Sequence, residues 1–312
     1  MTRTTLYRSS RFAEHDDPSH VENQRRLTAI DAALDRSGLL EGRPQPELIP
    51  ASVEQLARVH EPAYIQALAE AAAQGGGWID GDTYMGFQSV EVAALAAGAS
   101  VQAVDAALSG SAVKGFVLAR PPGHHARPMI GMGFCLFDTI AIGAAEALAQ
   151  GIERIAIVDW DVHHGNGTQE IFYETDRVFF TSMHQWPLYP GTGAASETGY
   201  GAGAGYTLNV PLPAGSGNDD YLRTLDEFVL PRLRDYRPEL VLVSAGYDCH
   251  RDDPLGSMLV DEDGFGVMTA RLVDLAETYA GGRIVLVLEG GYHPAALARS
   301  VVRTIEVLDG AV

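Results

Sequence analysis

The chain has 312 residues, 46% of them hydrophobic, and a formal net charge of −19 at pH 7. That size accommodates one large α/β domain spanning 1–312, and so acidic a balance argues against nucleic-acid binding through a basic face while favouring a cationic substrate over an anionic one. Cys135 and Cys249 are the only cysteines, so there is no disulfide framework. The opening MTRTTLYRSSRF lacks the apolar core of a secretory signal, and no apolar run approaches about 18 residues, so the sequence predicts a soluble cytoplasmic protein without membrane contact.

In chain order, Thr4–Arg8 reads as a short strand and Phe12–Asn23, rich in acids and histidine, as a loop. Arg25–Leu40 has helical periodicity, and Val53–Val59 and Ala63–Ala73 read as shorter helices. Gly75–Gly77 and Gly199–Gly205 sit between apolar segments and read as loops, not domain boundaries. Glu91–Leu108 is an alanine-rich helix. Gly115–Leu118 is a strand leading into Arg120-Pro-Pro-Gly-His-His-Ala126, whose prolines and glycine place His124 and His125 in a turn. Phe137–Ala149 is the next helix, 154–158 a strand, and Val178–Ser182 another. Trp186–Gly205 is a long loop, Tyr206–Val210 a strand and Tyr221–Tyr236 a helix. Leu240–Ser244 and Ile284–Leu288 repeat the pattern of a buried strand ending in polar residues.

Strands alternating with helices imply a mainly parallel central sheet covered by helices on both faces. The polar residues gather after four strands: His124 and His125, Asp159 to His164, Asp248, and Tyr292. Ligands of open α/β sheets bind beyond the carboxyl ends of strands. After Ile-Ala-Ile-Val158, an extended chain would turn Asp159, Asp161 and His163 to one side. Aspartate and histidine donors without a thiolate suit a divalent metal, and a catalytic zinc site takes three protein ligands and keeps one position open. Asp161 and His163 from one strand end and Asp248 from another would leave the tandem histidines for acid–base work and Tyr292 to steady an oxyanion. A lone histidine is usually structural, which is the reading for His15, His20, His60, His184, His250 and His293. Asp253-Pro254 reads equally as a turn or a site, Glu289 as a buried, paired carboxylate, and Cys135 as a small packing residue.

These residues resemble the histone deacetylase superfamily, specifically its class II-like branch of bacterial histone-deacetylase-like amidohydrolases. The likeness runs from about His20 to Tyr292. It is carried by Arg120-Pro-Pro-Gly-His-His-Ala126, Gly133-Phe-Cys135, Asp159-Trp-Asp-Val-His-His-Gly-Asn-Gly-Thr168, Tyr189-Pro-Gly-Thr-Gly193, Asn209-Val-Pro-Leu-Pro213, Ala245-Gly-Tyr-Asp248 with Asp253-Pro-Leu255, and Glu289-Gly-Gly-Tyr292. It implies a three-layer arginase/deacetylase-like fold and zinc-dependent hydrolysis of acyl groups, acetyl or longer, from N-ε-acyl-lysine. The implied zinc ligands are Asp161, His163 and Asp248. His124 and His125 match the catalytic pair, His125 as principal base and acid, with Asp159 and Asn166 as their respective partners and Tyr292 as the oxyanion donor. Gly133, Phe134 and Tyr189 match the acyl-lysine tunnel. One or two structural potassium ions are implied, the first on Asp159, Asp161, His163, Ser182 and Met183, the second on Phe172, Thr175, Val178 and Tyr206. The native metal, zinc or iron, and homo-oligomer formation are left open.

Two segments depart from the family pattern. His20-Val-Glu-Asn-Gln24 lacks the usual prolines, which predicts a softer or reshaped rim loop, and Phe137-Asp-Thr139 replaces Phe-Asn-Asn, which also puts the rim in question. Three rival functions follow. An acetylpolyamine amidohydrolase is the nearest, although some polyamine deacetylases carry a glutamate where Leu255 stands. An arginase-type ureohydrolase would need a dinuclear centre with more carboxylates. A silent acyl-ligand binder is disfavoured by the complete set of His124, His125, Asp161, His163, Asp248 and Tyr292.

Overall fold

Runs such as Ile155–Asp159, Leu240–Ala245 and Ile284–Leu288 are buried along their whole length, which requires apolar side chains on both faces of a strand. The computed structural model describes residues 3–310. Its strands are β1 (Thr5–Tyr7), β2 (Gly77–Trp78), β3 (Tyr84–Met85), β4 (Lys114–Val117), β5 (Ile155–Asp159), β6 (Val178–Gln185), β7 (Thr207–Leu212), β8 (Leu240–Ala245) and β9 (Ile284–Leu288). Its helices are α1 (Arg25–Arg36), α2 (Val53–Leu56), α3 (Pro62–Ala73), α4 (Ser89–Ser109), α5 (Thr139–Ala149), α6 (Asn166–Phe172), α7 (Asn218–Thr224), α8 (Leu230–Tyr236), α9 (Glu262–Tyr279) and α10 (Pro294–Leu308).

Seven strands form one parallel sheet in the order β1-β4-β9-β8-β5-β6-β7, and β2 pairs with β3 as a small hairpin. Period-two alternation sorts each strand between two cores. Ala156, Val158, Val241, Val243, Leu286 and Leu288 join one with α1, α9 and α10. Ile155, Ile157, Leu240, Leu242, Val285 and Val287 join the other with α3, α4 and α5. The expected three-layer arrangement is observed. The four strands that end in polar residues, β4, β9, β8 and β5, are neighbours in the sheet, so their carboxyl ends lie side by side.

Several expectations change. Over an 18-residue window helix α4 is long and apolar enough to cross a membrane by length and composition, contrary to the expectation that no run approaches that length. It is a core helix here, with 67% of that window buried and its main contacts on α5 and β4. The helix expected at Tyr221–Tyr236 begins at Asn218 and is interrupted by a wider turn at Leu225–Val229, where Pro231 has no amide hydrogen for a regular bond. Helices α6, α9 and α10 were not anticipated. β5 stops at Asp159 and the chain turns, so Asp159, Asp161 and His163 do not share a strand face; bends, not pleating, bring them together.

The rim loop lacking its prolines is not loose. Glu22 is buried, its carboxylate accepting from Arg120 Nε (2.7 Å), Arg120 Nη2 (2.6 Å) and Arg26 Nη1 (2.9 Å). Nor does Asp138 shape the rim. It is buried at the start of α5, accepting from Ala141 N (3.0 Å) and Thr168 Oγ1 (2.8 Å), a helix cap that aspartate fills as well as asparagine does.

Candidate active site

Beyond β5, two carboxylates and an imidazole converge. His163 Nδ1 lies 3.1 Å from both Asp161 Oδ1 and Asp248 Oδ2. The second oxygen of each carboxylate is fixed by a backbone amide, Gly290 N on Asp161 Oδ2 and Val162 N on Asp248 Oδ1, each at 2.8 Å. The backbone must come this close: a Cβ on Gly290 would sit 2.1 Å from Asp248 Oδ2 and 2.6 Å from Asp161 Oδ2. Among the described residues this is the one group of three or more such donors that could hold a metal ion, all three residues being buried. Burial alone would lower the His163 pKa, but its bonds to the two aspartates outweigh that and hold it at about 10. So compact a pair of carboxylates calls for a positive charge, and donors at this spacing fit a divalent cation bonded at about 2.0–2.2 Å.

His124 and His125 stand beside this cluster with ring centroids 4.0 Å apart. His124 Nδ1 donates to Asp159 Oδ2 at 2.8 Å. His125 Nδ1 donates to the amide oxygen of Asn166, on α6, also at 2.8 Å, which leaves His125 Nε2 as an unprotonated acceptor. Burial lowers both histidines. For His124 the charges of Asp159 and Asp161 reverse the effect and raise it well above the usual value; for His125 the charges of His124 and His163 add to burial and hold it well below. Burial lifts Asp159 to about 6, against the pull of His124.

A channel of about 240 Å³ leads to these groups, lined by Asp82, His125, Gly133, Phe134, His163, Leu188, Tyr189, Leu255 and Tyr292. Gly133, at φ +56°, lies against His125, whose Cδ2 would be 2.4 Å from an added Cβ. The Phe134 and Tyr292 rings meet edge to face at 5.7 Å, and Tyr189 packs edge-on against His125 at 5.2 Å. The structure therefore brings together His124, His125, Asp159, Asn166, Asp161, His163, Asp248, Tyr292 and the residues expected to line a tunnel.

Of the residues considered for cations, Ser182 pairs with Asp159 in the β5–β6 register, with Met183 next to it. The Ser182 hydroxyl is 2.9 Å from His184 Nδ1. Phe172, Thr175, Val178 and Tyr206 lie around the turn between α6 and β6; Thr175 N donates to Phe172 O (3.3 Å) and Phe180 N to Tyr206 O (2.9 Å).

Sequence reasoning missed what supports the tyrosine and the histidine turn. Arg26 Nε donates to Gly291 O at 2.7 Å and Nη2 to Glu289 O, with its guanidinium carbon 5.0 Å from the Tyr292 ring centre. Glu289 is not an ion-paired carboxylate. One of its oxygens accepts Gly123 N (2.7 Å) and His124 N (3.2 Å), the other has no partner, and burial lifts its pKa to about 8. Asp253, which read equally as a turn or a site, accepts from Tyr292 N. Asp82 and Leu188, which no motif marked, line the channel. The six lone histidines lie outside the donor cluster. His20 packs edge to face against Phe134 of the channel lining, with ring centroids 4.7 Å apart. Cys135 is buried as expected, with Sγ 3.2 Å from Gly133 O.

A histone deacetylase domain is recognised over residues 20–308. The chain belongs to the histone deacetylase family. It is 42% identical to the histone deacetylase-like amidohydrolase of Pseudomonas aeruginosa over 93% of this chain and 77% of that one. It is 40% identical to human polyamine deacetylase HDAC10 over 95% of this chain, which spans 46% of that protein. The crystal structure of the HDA15 HD domain superposes with a TM-score of 0.95 at 37% identity, covering all of this chain and 90% of that one. The chain is thus a member of a family of hydrolytic deacetylases, and its fold is the family's.

Proposed function

We propose that residues 1–312 form one catalytic domain that hydrolyses N-ε-acyl-lysine side chains with a single zinc ion held by Asp161, His163 and Asp248. The observation that carries this reading is the pairing at the channel floor: His125, with a free Nε2, and cationic His124 stand beside one metal-competent triad. An unprotonated imidazole beside a charged one fits a single proton shuttle, His125, working next to a fixed positive charge on His124. Bound zinc would supply Lewis-acid polarisation of water and of the amide carbonyl.

His125 Nε2 takes the proton of the attacking water while Asn166 holds the ring's orientation. His124, charged and fixed by Asp159, stabilises the negative charge that grows on the carbonyl oxygen. Tyr292, whose hydroxyl is kept protonated by burial, donates a hydrogen bond to the same oxygen. His125 then returns its proton to the departing amine nitrogen. Gly133, Phe134, Tyr189 and Leu255 enclose the alkyl stem and exclude water.

We further assign one or two structural potassium ions to the two residue sets named above, a reading supported by the grouping of those residues around β6. A reducing cytoplasmic location is supported by two free, buried cysteines. A second reading, acetylpolyamine hydrolysis, is favoured by the net charge of −19, by Asp82 at the channel and by the likeness to a relative described as a polyamine deacetylase. Leu255 in place of a glutamate counts against it.

The deciding experiment compares turnover of acetyl-lysine peptide, longer acyl-lysine peptides and N-acetylputrescine by zinc-loaded protein, with a hydroxamate control. Faster, hydroxamate-sensitive turnover of a lysine peptide supports the deacylase and gives its acyl preference. Faster turnover of N-acetylputrescine moves the protein to polyamines, and tight acyl-lysine binding without turnover makes it a binder.

A further inference from the structure

Tyr189, 38% exposed, forms a wall of the channel from within the long loop between β6 and β7, so its place depends on where that loop is tied down. The ties converge on one side chain, Gln169 of α6. Its Oε1 accepts from His164 Nε2 at 2.9 Å and from Asn209 Nδ2 at 2.6 Å, and its Nε2 donates to Glu197 at 2.7 Å. A carbonyl oxygen only accepts, so the His164 proton is on Nε2. His164 Nδ1 is left to accept the Thr192 hydroxyl, at 2.8 Å. Glu197 in turn accepts the amides of Gly193 and Ala194, each at 3.1 Å. From the other side His184 Nε2 donates to Gly193 O at 3.0 Å. The loop lies flat on the two imidazoles: a Cβ on Gly193 would stand 2.6 Å from both rings.

Gln169 thus joins three places in the chain: His164, next in sequence to His163; Asn209 in β7, where the loop ends; and Glu197 within the loop. Each polar group of its amide is used; Gln169, His164 and Asn209 are buried, so a lost partner there leaves the others unsatisfied, whereas Glu197 is half-buried and Thr192 exposed at the loop end of the chain of bonds. None of these residues touches the channel. We infer that Gln169 is a positioning residue for substrate binding: through His164–Thr192 and through Glu197 it holds the loop so that Tyr189 closes on the alkyl stem of the acyl-lysine. The inference rests on the acyl-lysine reading given above.

The test uses zinc-loaded full chains of Gln169→Leu, Thr192→Val and Thr192→Ser. Thr192→Val is nearly isosteric and removes only the hydroxyl, so it separates the strap from folding. A displaced wall weakens binding of ground state and transition state alike, so KM for acyl-lysine peptides is expected to rise about tenfold in Gln169→Leu and Thr192→Val, with kcat within about twofold. Metal content should not change, and amide hydrogen exchange at Gly193 and Ala194 should accelerate by about tenfold. Thr192→Ser, which keeps the hydroxyl, should behave as wild type. Unchanged KM and unchanged exchange in both disruptive variants would overturn the proposal, as would a fall in kcat at constant KM, or equal impairment of the serine and valine variants. If the wild-type protein turned over no acyl-lysine substrate, the deacylase reading would fail, whereas the exchange measurement would still decide whether Gln169 holds the loop.

Discussion

Asp253 Oδ2 accepts the backbone amide of Tyr292 at 2.6 Å and that of His293 at 3.2 Å, while Arg26 binds the carbonyls of Glu289 and Gly291. The tyrosine turn is thus held by an anion on its amides and a cation on its carbonyls. Asp253 reaches no reacting group directly, so its removal should loosen Tyr292 and leave the metal donors in place. We expect Asp253→Ala to lower kcat by about tenfold with one metal per chain retained, measured by steady-state kinetics and metal analysis. Asp253→Asn should fall between, because one of its terminal groups is a donor and repels an amide N–H.

The chemistry itself predicts a sharper division. Tyr292→Phe and His125→Ala should each lower kcat by about 10²-fold or more while metal content stays near one per chain. Asp248→Ala should empty the metal site, because it removes a donor 3.1 Å from His163 Nδ1. Retained turnover in either of the first two variants would break the proposed mechanism.

Glu22 is the shared counter-ion of two fully buried guanidiniums, Arg26 and Arg120. Glu22→Gln preserves shape but leaves two positive charges with no carboxylate between them. The expected loss of stability is about 3–5 kcal/mol in urea unfolding. A change below about 1 kcal/mol would mean that water reaches these groups.

His60 offers a pH test away from the metal cluster. Its Nδ1 donates to Arg127 O at 3.1 Å and its Nε2 accepts Asp138 N at 2.9 Å, so only the neutral ring satisfies both, and burial lowers its pKa to about 4. The unfolded chain titrates near 6.5 and so takes up the proton first as pH falls. The stabilisation is therefore present above pH 6.5 or so and is lost between there and about pH 4, at about 1.4 kcal/mol per pH unit. Urea unfolding near pH 7 and near pH 5 should show a shallower acid loss in His60→Gln than in wild type; parallel slopes would contradict the assignment.

Much of this site was legible in one dimension because its donors occupy short runs at strand ends. The Pro-Pro-Gly-His-His turn and the Asp-X-Asp-X-His run each carry their chemistry locally, and strand-helix alternation sets the sheet type. Asn166 was identifiable from its motif, but not as the first residue of a helix that directs its amide at His125. Local patterns did not reveal α9 and α10, whose apolar stripes have meaning only against α1 and the sheet face they cover.

By itself, the sequence determined which chemical groups exist and that they follow buried strands, because side-chain type and period-two burial are properties of contiguous residues. Tertiary structure alone decided that β4, β9, β8 and β5 are adjacent, and so that histidines, aspartates and tyrosine from distant segments meet. It also decided the supports. Glu22, Arg26, Gln169, Asp253 and Glu289 act across separations of up to 265 residues, as in the reach from Arg26 to Gly291. Whether a polar residue is a solvated surface group or a buried clamp depends on what the fold places against it.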